Sequence, residues 1–336
     1  MSKLAILGAG SWGIAISVLL SHKRHDIRLW EFEPSECQKL QNLREHTGKL
    51  PGIKIPETTI ITNNLDMAIG DAEAIILALP SHTVRPTARM IANKLPGHLA
   101  FILNLAKGIE NNTLCRMSEV LLQELPEDQH NKIATLSGPS HAEEVSRDIP
   151  TAVVIASFEP RVAQIIQDAF STDVFRVYTS ADMIGVELGG SLKNVIAIAA
   201  GIIQGLNLGD NTIGALMTRG LAEMVRLGRK MGADALTFSG LSGIGDLITT
   251  CISRHSRNRH VGEQLGKGKK LNEILNSMTM VAEGVKTTQS AYQLAKIHNV
   301  DMPITVQMYH ILFEDKDPAL AIRELMTRTP KPEIWD

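Results

Sequence analysis

What is scarce in this 336-residue chain already narrows its class. Cysteine is nearly absent: Cys37, Cys115 and Cys251 are too few and too widely spaced for a disulfide framework or a CxxC metal pair. A reducing, cytoplasmic setting is expected. No metal site is expected either, since none of the 11 histidines shows ligand spacing. Aromatic residues make up only 4%, which thins the platforms on which nucleic-acid bases could stack. No sign of charge dominates: 34 Lys and Arg face 36 Asp and Glu, for a formal charge of -2. That balance argues against a surface drawn to nucleic acid or anionic lipid, so any anion site must be local. Long hydrophobic runs are missing too. Met1 to Gly10 reaches a glycine-rich turn after one short apolar run, unlike a signal peptide. Asn194 to Gly209, a charge-free stretch that includes Gln204 and Asn207, is too short and polar to span a bilayer, so no membrane insertion is expected.

What is present is ordinary globular material, with 44% hydrophobic and 21% charged residues and a length suited to about two domains. In the first half, short apolar runs recur with helix-like segments between them: Leu4 to Leu7, Ile27 to Trp30, Ala74 to Leu79, Ala100 to Leu103, Lys132 to Leu136 and Ala152 to Ala156. That alternation predicts an α/β doubly wound parallel sheet over 1–178, with ligands at the C-terminal ends of the strands. After about Tyr178 helical periodicity takes over, predicting an all-α C-terminal domain over 179–336 that carries substrate and catalytic residues. Ile213, Leu216, Met217, Leu221, Met224 and Val225 mark one apolar stripe there, read as a core helix. Half of the 26 glycines lie between Gly185 and Gly245, pointing to close helix packing or backbone approach to a ligand.

Ala5 to Gly13 reads as a strand entering GxGxxG, and Ile14 to Leu20 continues as a helix. In that context Gly8 permits the turn, Gly10 leaves room for a pyrophosphate, and Gly13 lets helix and strand pack closely. Free N–H groups at the helix start favour the phosphates. Glu31 follows the second strand, about 20 residues beyond Gly10, where a carboxylate binds ribose hydroxyls. Glu31 and Glu33 would repel a 2′-phosphate, which favours NAD over NADP, although Arg24 and Arg28 are near in sequence and Glu31 could simply face solvent.

Three further groupings carry chemistry. Lys107 follows a buried-looking strand and could hold a substrate oxygen, or be a solvated loop lysine. Leu136 to Glu144 leaves a strand for a helix, with Ser137 or Ser140 as candidate N-cap. Lys193 is the sole cation between Arg176 and Arg219, within an apolar helix ending near Gly205. Burial there would favour its neutral form and suit it to general-base work, the alternative being a side chain that snorkels to solvent. Asp246 lies among glycines and aliphatics and could orient Lys193. Ser253 to His260 is the densest basic segment, expected to form a small-anion pocket around an arginine fork or else a solvated helix end.

Taken together these motifs resemble bacterial-type NAD(P)-dependent glycerol-3-phosphate dehydrogenase. The likeness rests on GAGSWG at Gly8 to Gly13, NLAKGIE at Asn104 to Glu110, LSGPSHAEEV at Leu136 to Val145, VELGGSLKNVIAIAAGI at Val186 to Ile202, LSGIGDLITT at Leu241 to Thr250, SRNRHVG at Ser256 to Gly262 and VAEGVKT at Val281 to Thr287. The resemblance implies a Rossmann-type domain followed by a helical one. It implies reversible reduction of dihydroxyacetone phosphate, a small phosphorylated three-carbon substrate, to sn-glycerol 3-phosphate for phospholipid synthesis, with NAD or NADP in reduced form. Lys193 matches the family's catalytic base. Lys107, Gly138, Ser140, Asp246, Ser256, Arg257 and Asn258 match its substrate contacts; Ser11, Trp12, Lys107, Ala142, Arg257, Val281 and Glu283 match its cofactor contacts. A homodimer is implied as well. One departure stands out: many members carry a basic residue after the second strand, where this chain reads Trp30-Glu31-Phe32-Glu33-Pro34. Two rival readings are kept. One is a related two-domain 3-hydroxyacid dehydrogenase using Arg257 on a carboxylate; the other is a dinucleotide sensor without turnover, which would have no use for Lys193.

Overall fold

The computed structural model describes residues 2–333. Its contacts divide the chain into two units, one of residues 1–107 and 115–187, the other of residues 108–114 and 188–336. The division falls within a helix, at Glu187 and Leu188, and seven residues before Cys115 are lent to the second unit.

The first unit is built on one eight-stranded sheet: β1 (Lys3–Leu7), β2 (Asp26–Trp30), β3 (Ile60–Thr62), β4 (Ala74–Leu77), β5 (Phe101–Asn104), β6 (Ile133–Ser137), β7 (Thr151–Ser157) and β8 (Phe175–Ser180). Its helices are α1 (Ser11–Ser21), α2 (Pro34–Leu43), α3 (Leu65–Ile69), α4 (Ser81–Ala92), α5 (Met117–Glu124), α6 (Ala142–Val145) and α7 (Pro160–Phe170). The central strands have no solvated face. In β1, Leu4 and Ile6 enter one apolar cluster while Ala5 and Leu7 enter another, so the two-residue period of the strand feeds cores on both sides of the sheet. The strand order is β3-β2-β1-β4-β5-β6-β7-β8. Chain direction across the sheet therefore reverses between β1 and β4, the place where α/β sheets open a crevice at the strand ends.

Two expectations need correcting. The sheet is not wholly parallel, because β6 pairs antiparallel with β7. Strands β3 and β8 are additional. β3 is three residues long, and β8 exposes Arg176 and Tyr178 on alternate positions, so neither presents the continuous apolar run used to find the others.

The second unit is helical: α8 (Met183–Gly205, which starts in the first unit), α9 (Asp210–Lys230), α10 (Asp246–Ile252), α11 (Arg257–Gly266), α12 (Leu271–Ser277), α13 (Glu283–Ile297), α14 (Pro303–Phe313) and α15 (Pro318–Met326). The 16-residue window from Asn194 misjudged α8, which begins at Met183 and is long and apolar enough to cross a membrane by length and composition. It is buried within the protein, as expected of a helix apolar on all sides. Its two charged residues, Glu187 and Lys193, are both paired.

Helix α8 meets α11 through backbone. A Cβ on Gly262 would lie 1.9 Å from the Ile198 carbonyl oxygen, and one on Gly201 would lie 2.0 Å from that of Arg259. Gly205 and Gly266 continue the seam one turn on, against Glu263 and Ile202. The glycine-rich composition of this region is spent on bringing two helices into main-chain contact.

Candidate active site

In the first unit, Gly8 to Gly13 joins β1 to α1 at the switch between β1 and β4. A Cβ on Gly13 would stand 1.9 Å from the Gly8 carbonyl oxygen and 3.3 Å from the Ala78 side chain beyond β4, so only glycine closes this turn. At Gly10 the opposite holds: nothing lies within 4 Å of the position a Cβ would take. Gly10 is the N-cap of α1 and supplies no side-chain cap, leaving the helix start to be satisfied from outside. An open backbone at a helix N-terminus fits the pyrophosphate of a dinucleotide. Ser11 is buried and Trp12 half-buried at the head of the same helix.

Glu31 directly follows β2, and its Oε1 accepts from the Glu33 amide at 3.2 Å. Arg28 is turned away into an ion pair with Asp71 and a bond to the Met67 carbonyl oxygen. Lys107, Gly138 and Ser140 come together: Lys107 Nζ donates to the Gly138 carbonyl oxygen at 2.9 Å and lies 3.5 Å from Ser140 Oγ. The capping expectation for the next helix fails. The N-cap of α6 is His141, without a side-chain cap bond; Ser140 Oγ donates back to the Gly138 carbonyl oxygen, and Ser137 ends β6, its hydroxyl buried without a hydrogen-bond partner among the described residues. Ala142 is the buried first residue of α6.

In the second unit, Lys193 of α8 is 6% exposed and Asp246 of α10 is 2% exposed, which makes their contact a buried ion pair rather than a surface one. Lys193 Nζ donates to Asp246 Oδ1 at 2.7 Å and to Thr250 Oγ1 at 2.6 Å, while the Thr250 hydroxyl donates to Asp246 Oδ1 at 3.2 Å. Two turns therefore converge on one ammonium. Thr250 escaped the sequence reading, although its four-residue spacing from Asp246 on a helix would have flagged it. Cys251, the next residue, is inert packing: burial pushes its thiol up to about 12.

Ser256 caps α11, its Oγ accepting from the Arg259 amide at 3.2 Å. Arg257 is exposed, and its Nη1 donates to the Val281 carbonyl oxygen at 3.1 Å, uniting two residues named separately from the sequence. Asn258 is buried. Its Nδ2 donates to Asn194 Oδ1 and its Oδ1 accepts from the Gly284 amide, each at 2.9 Å. Asn194 and Gly284 were not foreseen; they tie α11 to α8, one residue from Lys193, and to the start of α13. Glu283 is the half-buried first residue of α13.

A doubly wound sheet with an open glycine turn at its switch point, together with a helical unit that buries a lysine–aspartate pair, defines a two-unit dinucleotide-dependent dehydrogenase. Comparison with known proteins narrows this. The family description "NAD-dependent glycerol-3-phosphate dehydrogenase N-terminus" matches residues 3–163, and its C-terminal counterpart matches residues 182–323. A glycerol-3-phosphate dehydrogenase (NAD(P)+) of Chlorobium luteolum is 50% identical over 330 residues, 98% of this chain and 99% of the relative. One of Pelotomaculum thermopropionicum is 50% identical over 332 residues, 99% and 95% of the two chains. A crystal structure of glycerol-3-phosphate dehydrogenase from Coxiella burnetii, 37% identical, superposes with a TM-score of 0.93 over 97% of this chain and 99% of that one. The chain belongs to the NAD-dependent glycerol-3-phosphate dehydrogenase family, as an oxidoreductase that uses NAD or NADP.

Proposed function

We propose that this enzyme reversibly reduces dihydroxyacetone phosphate to sn-glycerol 3-phosphate and that Lys193 is its general acid and base. The observation that carries the reading is the buried Lys193–Asp246 contact at 2.7 Å, a titratable ammonium fixed in a dry place by a carboxylate. The names of the relatives support the substrate. When bound, the dinucleotide supplies a hydride to C2 of the ketone or receives it from the alcohol. In reduction the Lys193 ammonium polarises the C2 carbonyl and donates a proton to its oxygen; in oxidation neutral Lys193 takes the hydroxyl proton. Asp246 and Thr250 hold Nζ in place for both directions. Arg257, the backbone amide of Asn258 and the capped start of α11 receive the phosphate. Glu31 and Glu33 favour NADH, since two carboxylates oppose a 2′-phosphate and Arg28 is engaged by Asp71. In this reading the enzyme acts in the cytoplasm as a homodimer, and its product feeds phospholipid synthesis.

Initial rates of NADH and NADPH oxidation with dihydroxyacetone phosphate test this, with unphosphorylated dihydroxyacetone as control. Turnover that requires the phosphate supports the assignment. A chain that binds NADH yet turns over neither cofactor refutes it. Competition by inorganic phosphate but not by acetate separates this reading from a carboxylate-specific hydroxyacid dehydrogenase.

A further inference from the structure

Strand β5 runs Phe101, Ile102, Leu103, Asn104, and all four side chains are buried. Its last position is a primary amide, a group that costs free energy to bury unless its hydrogen bonds are met. They are met on the strand's own exit: Asn104 Oδ1 accepts from the Ala106 amide at 3.2 Å, and Nδ2 donates to the Ala106 carbonyl oxygen at 3.0 Å. Asparagine commonly bonds the backbone two residues on. Here it holds both main-chain polar groups of one residue, which fixes the peptide planes on either side of Ala106, and the next residue is Lys107. A leucine at position 104 would extend the apolar run but leave that loop without its tie.

Asn104 also sets this loop against its neighbours. Leu7, Leu77, Asn104 and Thr135 stand in register across the parallel strands β1, β4, β5 and β6, and Gly8, Lys107 and Gly138 leave the sheet beyond that row at one edge. Asn104 Nδ2 lies 3.4 Å from Thr135 Oγ1, and the same hydroxyl lies 3.4 Å from the Asn104 carbonyl oxygen. Further along the two exits, Lys107 Nζ donates to the Gly138 carbonyl oxygen at 2.9 Å. The exits are thus joined at their base by Asn104 and Thr135 and at their tip by Lys107 and Gly138. Neighbouring strands lie about 4.8 Å apart, so β5 stands about 10 Å from β1 and its glycine turn, within the length of a dinucleotide laid along the edge.

We propose that Asn104 is a positioning residue for the dinucleotide: by holding Ala106 it aims the Lys107 ammonium along the strand ends, where the cofactor passes. The proposal rests on dinucleotide use and not on the identity of the substrate. NADH affinity by fluorescence titration, taken around a cycle of Asn104→Ala, Lys107→Ala and the double variant of the full chain, tests it. Lys107→Ala weakens NADH binding about 10- to 100-fold, the scale of a hydrogen bond to a charged group, and Asn104→Ala about three- to tenfold. In the double variant Asn104→Ala adds nothing to the loss from Lys107→Ala, since the group it positions is gone. Asn104→Ser, whose hydroxyl can still accept from the Ala106 amide, recovers part of the affinity. Acetylation read by peptide mass spectrometry follows Lys107 directly, with the exposed Lys39 as reference. Asn104→Ala speeds modification of Lys107 relative to Lys39, and NADH slows it in the wild type. Additive losses around the cycle, NADH affinity indifferent to Lys107→Ala, no recovery with serine, or acetylation of Lys107 indifferent to Asn104→Ala would overturn the proposal. None of these readouts requires turnover of dihydroxyacetone phosphate, so the reading of the reaction stands or falls separately.

Discussion

Two buried ion pairs stand on helix α8, and their chemistry divides them. Glu187 accepts from the Arg116 guanidinium at 2.6 Å, from the Ser118 amide at 2.7 Å and from the Ser118 hydroxyl at 2.6 Å. Burial raises its carboxyl above the usual range, with Arg116 opposing the shift. An arginine does not give up its proton in a protein, so the cation of this pair holds α5 to α8 and cannot act as a proton donor or base. Lys193 and Asp246 have similar distance and burial, yet a lysine can gain and lose its proton. The same helix thus uses one pair as a fastening and offers the other for chemistry. Burial and geometry alone do not tell a structural pair from a reactive one; the identity of the cation does.

The largest expected effect is on the reactive pair. Lys193→Ala should lower kcat by ~10²- to 10⁴-fold, the scale of a lost general acid and base, with NADH affinity unchanged by fluorescence titration. Glu187→Ala should do the reverse. It strands a buried guanidinium and should cost about 3–5 kcal/mol in urea unfolding, while the folded fraction keeps its kcat. If Glu187→Ala instead cut kcat at unchanged stability, the contrast between the pairs would collapse.

Glu223 sharpens the comparison as a buried carboxylate satisfied by a helix start in place of a cation. Burial raises it from 4.5 to about 7. The folded state then binds more protons than the unfolded one between those values, so this group's contribution to stability is full below pH 4.5 and lost as pH rises to about 7. Unfolding free energy should fall across that window by up to about 3 kcal/mol, and Glu223→Gln should flatten the curve in urea titrations at stepped pH. The smallest effect concerns an exposed cation. Arg257→Ala should raise KM for dihydroxyacetone phosphate by about 10- to 100-fold with little change in kcat, matching one or two charge-assisted hydrogen bonds. An unchanged KM would move the phosphate elsewhere.

The fold was legible where burial writes itself into residue type. β1, β4 and β5 are unbroken apolar runs because both faces are covered, and the glycine turn after β1 has spacing that only backbone crowding explains. β8 was not legible, since its exposed positions hold Arg176 and Tyr178 in a run too polar to read as buried strand. Lys193 and Asp246 could be paired from the sequence because each is a lone charge in apolar surroundings. Asn194 and Gly284 could not, since asparagine and glycine are common and their roles here depend on which helices meet. Ser140 misled for a related reason: a hydroxyl before a helix can cap it, but here it finds the Gly138 carbonyl closer to hand.

The seam between α8 and α11 bears on how this chain can vary. Gly201, Gly205, Gly262 and Gly266 touch no reacting group, yet each faces main-chain atoms of the opposite helix, which have no rotamer through which to retreat. A saturation library scored for activity should find these four positions nearly as intolerant as Lys193, though an alanine there changes no charge, donor or acceptor. Their constraint is one of distance: they fix how near the start of α11 stands to the lysine, and a lineage that loses one has no neighbouring side chain to trim in compensation.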